Sequence, residues 1–307
     1  MCAFTSAPDM HPCDVLVFGD YFCDIIITGL PEPPRLGADI FGEELEIAPG
    51  GAYILTTALQ RLGVRVRWHT RLGNDLFSRF IQEEARREGL DIMLFEVYDR
   101  PLRSMSVSFS FVHDRGFISY GDSFPEQKPE AIITAQKARW VVNAPFDGSD
   151  WSKKVIDLIH KQGGQVYTDC QYTTTTLDEP GLIDTLRVTD IFAPNQSEAA
   201  QLTGESDPER AVARLAEFCP LVIVKCGGCG AYAQAGKKRW HSPAIKVDVV
   251  DTTGAGDSFN AGFLAAHLLG EPIETCLCYG NICGGLSTTQ CGGARAAPTL
   301  EQLKRYL

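Results

Sequence analysis

The sequence predicts an α/β fold in which a mainly parallel central sheet is flanked by helices and carries a small β-sheet lid. From about residue 138 onward, short apolar runs alternate with segments of helical spacing, which is typical of parallel strands covered by helices. Residues 104–112 instead alternate apolar and polar side chains, as strands do when one face meets water. Glycine-rich turns follow the apolar runs, at the strand ends where such sheets bind ligands. We expect one domain over 1–307, with a discontinuous lid at about 19–50 and 102–122.

Length and charge narrow the functional classes. A chain of 307 residues is long enough for one large α/β domain. The formal net charge of −11 argues against nucleic acid or an anionic membrane surface as the main partner, although local amides and a metal can still hold a nucleotide. No apolar stretch is long enough to span a bilayer. Residues 1–13 show no secretory signal pattern and the cysteine count of 11 is odd, so we expect a reducing, cytoplasmic location.

Two groups of cysteines raise the question of a zinc site. Cys226 and Cys229 have the spacing of a ligand pair, but they lie in a glycine-rich turn that has its own explanation. A later group of four has no second pair at this spacing: Cys276, Cys278, Cys283 and Cys291. We therefore do not expect structural zinc.

The N-terminal part is predicted to contain strands and one pair of helices. Apolar runs predict strands at 15–18 and 23–27, and weaker alternation predicts an exposed strand at 39–47. Two further strands, 104–112 and 117–120, are expected to pair across a hairpin turn at 113–116 and to form part of the lid.

Helical spacing of apolar residues predicts helices over 54–62 and 76–85, which Gly63 and Gly89 close. After residue 138, four apolar runs predict parallel strands: 140–142, 166–168, 190–192 and 221–224.

The most informative segment is Asp251–Phe259, which runs into a predicted helix over 260–269 that Gly270 ends. Its glycines let backbone amides approach a ligand closely, and a helix N-terminus adds free N–H donors and partial positive charge. Such a turn suits a phosphate. Asp257 would repel that anion, unless it takes a proton from the group that attacks it.

Two other turns carry polar groups. Asn195 and Glu198 lie one turn apart at the start of a helix, where they could face a ligand or simply form a capping box. Lys225 follows an apolar strand and precedes Gly227 and Gly230, which could contact a nucleotide or form an ordinary glycine-rich turn.

The segment Asp251–Phe259 resembles the C-terminal signature of the ribokinase-like carbohydrate kinases, the PfkB family, and the resemblance extends from about Val15 to about Leu303. It implies a ribokinase-like fold. It also implies that Gly254, Ala255 and Gly256 form an anion hole and that Asp257 is the catalytic base.

The resemblance implies ATP and Mg²⁺ as cofactors. Asn195 would lie near the nucleotide phosphates, and Glu198 would hold the Mg²⁺ shell through water. Lys225, with Gly227 and Gly230, would contact the nucleotide. Asn281 matches the position that lines the adenine pocket, although a solitary asparagine in a helix could equally face solvent.

Family members often bind a monovalent cation such as K⁺ beside the anion hole. Carried over by position, its ligands would be oxygens, mostly of the backbone, from five residues: Asp251, Thr253, Ser287, Gln290 and Gly292.

The acceptor side resembles the family in part. Asp24 matches an aspartate that accepts hydrogen bonds from sugar hydroxyls, although it could also be a strand-edge aspartate. Gly50 and Gly51 match a di-glycine that lets a helix N-terminus touch the sugar.

The usual asparagine after the di-glycine is missing, because Ile54 and Leu55 occupy its place. This puts ribose and fructose themselves in doubt. Tyr21, Phe22 and Tyr53 suggest an aromatic wall instead.

Together these features predict an ATP-dependent kinase that phosphorylates a primary alcohol of a small sugar or sugar-like acceptor. A nucleoside kinase and a non-catalytic binding protein of the same fold are the alternatives. We also expect a homodimer formed through the lid, because exposed lid strands invite edge-to-edge pairing.

Overall fold

The protein is described by a computed structural model that covers residues 13–111, 114–170 and 175–307, without the side chains of residues 111, 114 and 115. Residue 113 of the hairpin turn predicted at 113–116 therefore lies outside the described residues, and 114–116 belong to a strand.

Within the described residues, thirteen strands form two sheets. The strands are β1 (Val15–Phe18), β2 (Tyr21–Leu30), β3 (Glu44–Gly51), β4 (Val66–Leu72), β5 (Phe95–Val97), β6 (Ser104–Phe111), β7 (Asp114–Gly121), β8 (Trp140–Val142), β9 (Gln165–Thr168), β10 (Ile191–Phe192), β11 (Leu221–Lys225), β12 (Ala231–Ala235) and β13 (Lys238–Ser242). The large sheet has nine strands in the order β13-β12-β11-β10-β9-β8-β1-β4-β5, and the small sheet has four in the order β3-β2-β6-β7.

Ten helices accompany the strands in the part of the chain that is described. They are α1 (Ala52–Arg61), α2 (Leu76–Glu88), α3 (Pro129–Gln136), α4 (Asp150–Lys161), α5 (Leu182–Val188), α6 (Gln196–Thr203), α7 (Pro208–Leu215), α8 (Ala255–Leu268), α9 (Ile273–Ser287) and α10 (Leu300–Lys304).

Helices cover both faces of the large sheet because its central strands are apolar on both sides. In β1, Val15 and Val17 join the largest apolar cluster, which includes α1, α8 and α9. Leu16 and Phe18 point the other way, into a cluster with α3 and α4. The strands from β11 through β5 run parallel, and β12 and β13 extend the sheet as an antiparallel hairpin. The predicted mainly parallel sheet is confirmed.

The sequence analysis missed four strands: β4, β5, β12 and β13. In β4 the charged or polar residues Arg67, His69 and Arg71 interrupt the apolar run. Both His69 and Arg71 are nonetheless buried: Asp20 forms an ion pair with Arg71, and Glu96 lies 3.3 Å from His69, whose ring nitrogens make no hydrogen bond to a described residue. Sequence periodicity does not reveal such neighbours.

The small sheet is built from the two stretches predicted to form the lid. Its strand register separates two faces. Asp24 of β2 lies opposite Ala48 of β3 and Ser106 of β6, and these three share one face. Ile25 lies opposite Ile47 and Val107, on the other face.

No described helix combines the length and the apolar composition that crossing a bilayer requires.

Candidate active site

The start of α8 is formed by a glycine in the left-handed region. Gly254 has a φ of 71°, and a Cβ atom at this position would lie only 2.7 Å from Ile54 Cγ2. A residue without a side chain is therefore needed for both conformation and space. This turn lets α8 begin at Ala255, five residues before the predicted start at 260, so that Ala255 and Gly256 belong to the first helical turn.

The first amides of α8 point into a cleft. Ala255 N donates weakly to Thr252 O at 3.3 Å. The amides of Gly256 and Asp257 have no acceptor within the described ranges, as expected for the first turn of a helix. Free donors and the positive end of the helix dipole together form a site for an anion.

Asp257 lies on this first turn and has no hydrogen-bond partner among the residues described. The pKa of its carboxyl is raised to about 7, mainly by burial. The negative charges of Asp169 and, to a smaller extent, Asp24 contribute to this rise, and Lys225 opposes it. An acid with a pKa near neutrality can exchange a proton at physiological pH, which is the requirement for a general base.

Asp169, which shares a cavity with Asp257, and Asn260, one helical turn after it, were missed by the sequence analysis. Lys225 Nζ donates to both carboxylate oxygens of Asp169 at 2.8 Å. Asn260 Nδ2 donates to Asp169 Oδ2 at 2.6 Å. A signal for both was present in the sequence: Asp169 directly follows a predicted strand, and Asn260 lies three residues after Asp257 and hence on the same side of the helix.

A cavity of about 390 Å³ brings the predicted nucleotide-binding residues together with the start of α8. Its lining includes every residue predicted for the anion hole and the nucleotide: Asn195, Glu198, Lys225, Gly227, Gly230, Gly254, Ala255, Gly256, Asp257 and Asn281. These residues come from four regions of the chain: the carboxyl ends of β10 and β11, the N-terminus of α8 and the middle of α9.

The capping box anticipated as the alternative for Asn195 and Glu198 is present. The Asn195 side chain accepts from Glu198 N at 2.9 Å, and Glu198 Oε2 accepts from Asn195 N at 2.8 Å. Glu198 nevertheless lines the cavity, and its Oε1 atom has no hydrogen bond to a described residue. Burial raises the pKa of Glu198, and the backbone hydrogen bond from Asn195 offsets part of that effect. Capping and ligand contact are therefore compatible.

The other nucleotide-side residues also have defined positions. Asn281 is buried, not solvent-exposed, and its Nδ2 donates to Ser242 O at 2.8 Å. Gly227 begins a short 3₁₀ turn, Gly227–Cys229, that closes β11. Gly230 has a φ of +86°, and a Cβ atom there would lie 2.8 Å from Ala244 N.

On the lid, Asp24 lies in the middle of β2, which pairs with strands on both sides, so the strand-edge interpretation is wrong. Its carboxylate fills the space that a side chain at Gly50 would need. Burial raises the pKa of Asp24 to about 6, and the charge of Asp251 adds to this effect. Gly51, which precedes the first residue of α1, has a φ of 64°. A Cβ atom at Gly51 would lie only 2.6 Å from Asp20 O.

The predicted aromatic wall is wrong for two of its three residues. Tyr21 is fully buried and its hydroxyl donates to Leu102 O at 2.6 Å. Tyr53 is also buried and packs edge-on against Trp68. Only Phe22 stays exposed, at 38%. The strand and helix faces that carry the two tyrosines turn towards the core, which their spacing alone did not indicate.

Ile54 and Leu55, which replace the expected asparagine, are buried as well. Ile54 lies against Gly254 and so packs on the turn that precedes α8.

The residues predicted to bind a monovalent cation lie around the turn before α8, with the exception of Gln290. Asp251 Oδ1 accepts from Thr253 N and its hydroxyl at 2.9 and 2.7 Å, and Oδ2 accepts from Gly292 N at 3.1 Å. Ser287 is buried and donates to Gly284 O. Gln290 is exposed and lines a separate surface cavity.

Comparisons with known proteins agree on the family. The sequence profile of the pfkB family carbohydrate kinases matches residues 38–300. The chain is 27% identical to a 2-dehydro-3-deoxygluconokinase of Bacillus subtilis, with 96% of this chain and 95% of that protein covered. It is 24% identical to a ribokinase of Haemophilus influenzae over 95% of this chain and 97% of that one.

Solved structures show the same fold. A putative ribokinase II from E. coli superimposes with a TM-score of 0.76 at 27% identity and covers 95% of this chain and 98% of its own. Arabidopsis thaliana ribokinase complexed with ribose and ATP reaches a TM-score of 0.80 at 24% identity, with 96% and 98% covered. The fold is therefore ribokinase-like, as predicted, and the chain belongs to the pfkB family of carbohydrate kinases.

Proposed function

We propose that this ATP-dependent carbohydrate kinase transfers the γ-phosphoryl group to a primary alcohol of a small sugar or sugar-like acceptor, with Asp257 as general base. The observation that carries the proposal is the position of the Asp257 carboxylate. It has no hydrogen-bond partner within the described chain, its pKa is raised to about 7, and it lies beside two free amides on the first turn of α8.

The reaction forms a bond between the acceptor oxygen and the γ-phosphorus and breaks the bond from that phosphorus to the bridging oxygen of ADP. The acceptor hydroxyl loses its proton to Asp257, late if the transition state is loose. Lowering the pH through about 7 protonates this base, so the rate falls as the pH falls. The pKa elevation thus favours proton uptake but confines activity to neutral and alkaline pH.

Negative charge on the transferred group is stabilised by the amides of Ala255, Gly256 and Asp257. Fixed donors of this kind act on a developing charge without reorganising. Gly254 supports the arrangement by letting the helix begin immediately after a sharp turn. Lys225 lies beside Gly256 and adds positive charge at the same place.

The donor nucleotide occupies the cavity of about 390 Å³. Asn195 lies near its phosphates, Asn281 borders the adenine, and Gly227 and Gly230 allow close approach of the β11 turn. Glu198 Oε1, which has no protein partner in the described ranges, suits the water shell of Mg²⁺, a cation that prefers oxygen ligands. When bound, Mg²⁺ neutralises phosphate charge. A solved E. coli structure of this fold, 26% identical, is described as a complex with ATP and Mg²⁺.

A monovalent cation such as K⁺ is proposed beside the anion hole, held mainly by backbone oxygens of the residues at 251, 253, 287 and 292. Gln290, which lines a separate surface cavity, is left out of the proposed set. The carboxylate of Asp251 already ties Thr253 to Gly292, so the two loops that would carry the ligands are held close together.

The acceptor is proposed to lie between the site-facing surface of the lid and Asp257. Asp24 would accept hydrogen bonds from its hydroxyls, and Gly50 and Gly51 leave room for the close approach. The lid sheet would exclude water, because an exposed γ-phosphate can be hydrolysed.

We propose that two copies of the chain associate through the lid. The face opposite Asp24 carries an apolar patch, the outer lid face, formed by Ile25, Ile47, Val107 and Ile118 in register across four strands. Ile47 and Ile118 are 45% and 64% exposed. A contiguous apolar sheet face of this kind favours burial against a partner. We also propose a reducing, cytoplasmic location, since the cysteine count of 11 is odd.

The experiment that tests the function is ATP turnover over a panel of neutral pentoses and hexoses, ketodeoxy sugar acids and nucleosides. We expect at least one sugar or sugar-like alcohol to be phosphorylated at a primary hydroxyl, with the product identified by phosphorus NMR. Preferred turnover of a nucleoside would favour the nucleoside kinase instead. Ligand binding without turnover of any acceptor would contradict catalysis and favour a regulator.

A further inference from the structure

A polar network borders the cavity, and the catalytic scheme uses only its lysine. Lys225, at the end of β11, donates from Nζ to both oxygens of Asp169 at 2.8 Å and approaches Asn260 Oδ1 at 3.4 Å. The side chains of Lys225 and Asp169 are only 10% and 20% exposed. A lysine has four rotatable bonds, so one orientation must be held by specific partners.

Asn260 links this ion pair to the core. Its side chain is fully buried, its Nδ2 donates to Asp169 Oδ2 at 2.6 Å, and its Oδ1 accepts from the Tyr167 hydroxyl at 2.7 Å. Tyr167 is fully buried on β9, and burial raises its pKa well above the ordinary value, so its hydroxyl stays a donor. The orientation of the Asn260 amide is thereby fixed from both ends.

The network ends at the anion hole. A Cβ atom placed on Gly256 would lie 3.3 Å from Lys225 Nζ, so the ammonium is held against the backbone of the residue whose amide is free. Asn260 lies three residues after Asp257, and hence one turn further along the same side of α8. Strand β9, strand β11 and helix α8 each contribute one end of the network, which makes their relative positions interdependent.

We propose that Asp169, Asn260 and Tyr167 are positioning residues that hold the Lys225 ammonium against Gly256, where it meets the oxygens of the transferred phosphoryl group. This inference rests on the proposed kinase function and deepens it. Without the network the lysine could turn towards solvent or towards other phosphates, and the positive charge would have to be oriented during each turnover.

The charges around Asp257 give this arrangement a second consequence. The groups that face it are Asp169 from β9, Lys225 from β11 and Asp24 from the lid, with the Tyr167 hydroxyl behind Asn260. Asp169 and Lys225 oppose each other, because the first raises the pKa of Asp257 and the second lowers it. Removing the charge of Asp169 should therefore lower the pKa of Asp257, and removing the charge of Lys225 should raise it. An ion pair elsewhere in the chain would not produce these opposite shifts.

The test compares Asp169→Asn, Lys225→Met and Tyr167→Phe with the control Asp91→Asn, which breaks a half-exposed ion pair with Arg67 outside the cavity. We expect Asp169→Asn and Lys225→Met to lower kcat about 10- to 100-fold, with a smaller change in KM for ATP, because a misplaced group costs up to about 10²-fold in rate. Tyr167→Phe should lose less, and Asp91→Asn should stay within about twofold of wild type, as surface substitutions usually do.

The pH readout separates positioning from structural damage. The acid limb of kcat/KM should move to lower pH in Asp169→Asn and to higher pH in Lys225→Met. The same opposite shifts should appear in the ¹³C resonance of the Asp257 carboxyl, assigned with an Asp257→Asn variant, which requires no turnover. That measurement remains valid if no acceptor is phosphorylated, so failure of the proposed function is distinguishable from failure of this inference.

Two results would overturn the inference. One is shifts in the same direction, or none, in folded Asp169→Asn and Lys225→Met proteins. The other is a kcat within about twofold of wild type in all three variants, the ordinary range for a substitution without a role. If Asp169→Asn does not fold, Tyr167→Phe decides, because it removes a single oxygen: an unchanged kcat in that variant counts against the network.

Discussion

The cavity at the start of α8 and the lid sheet differ in how far their side chains are satisfied within one chain. Around the cavity, polar side chains are held within one chain: Asp169, Lys225 and Asn260 bond to one another, and Glu198 bonds to its own helix start. The lid has a polar face towards the site, but its outer face leaves Ile118 64% exposed.

This difference indicates that a single chain completes the cavity, whereas the lid leaves apolar surface that a second copy could cover. The groups that we propose to act on phosphate are fixed at the ends of buried strands and by the first turn of a largely buried helix. The sheet that presents Asp24 leaves Ile47 and Ile118 of its outer lid face exposed. The cavity should therefore respond to substitutions mainly in chemistry, and the lid mainly in acceptor binding and assembly.

The largest effect is expected from Asp257→Asn. Loss of the base should lower kcat by about 10² to 10⁴, since general-base catalysis contributes that much. Affinity for ATP, measured by calorimetry, should largely persist, because the amides of α8 are retained.

In the wild type, kcat/KM should fall below pH about 7, where Asp257 takes up a proton, and this acid limb should disappear in the residual activity of the variant. A variant that keeps more than half of the wild-type kcat would contradict the assignment of Asp257 as base.

The second effect tests the lid side of the site. Gly50→Ser places a side chain in the space that the Asp24 carboxylate occupies, so the carboxylate must move. We expect KM for the acceptor to rise about tenfold or more, the cost of losing one charged hydrogen bond, while KM for ATP stays unchanged.

Gly121→Ala is the matched control, since it lies in the same sheet, in β7, with open space around it. Equal effects of Gly50→Ser on both substrates would show that the lid and the cavity are not separable in this way.

The smallest effect on chemistry is expected from Ile118→Lys on the outer lid face. A charge there should prevent burial against a second copy, so the mass in solution, measured by light scattering, should fall from twice 33.6 kDa to one chain.

Leu36→Lys is the control, because Leu36 is fully exposed in the loop between β2 and β3 and outside the sheet. A wild-type protein that is already monomeric at micromolar concentration would refute the proposed dimer.

Much of the site was predictable because its residues lie close together in sequence. The segment from Asp251 to Phe259 combines the turn, the free amides and the proposed base within nine residues, so local chemistry alone indicates an anion site. Asn195 and Glu198 were likewise found by their spacing of one helical turn. The four parallel strands after residue 138 were predicted because each is an apolar run buried on both faces.

The features that were missed depend on distant partners. Asp169 is separated from Lys225 by 56 residues and from Asn260 by 91, and no periodicity connects them. Tyr21 and Tyr53 were assigned to an aromatic wall because the sequence does not reveal which face of a strand or helix turns inward. Strand β4 was missed because its buried arginine and histidine look exposed until Asp20 and Glu96 are placed beside them.

By itself the sequence determined the fold class, through local patterns of burial, and indicated the family, through the resemblance of the segment Asp251–Phe259 to a known signature. The same segment carries the proposed base. Only the tertiary structure decided the surroundings of Asp257. Three elements far apart in the chain bring a carboxylate, an ammonium and an amide to its side, and the electrostatic field there depends on distances across space. The same is true of the outer lid face, since pairing between strands determines which residues share it.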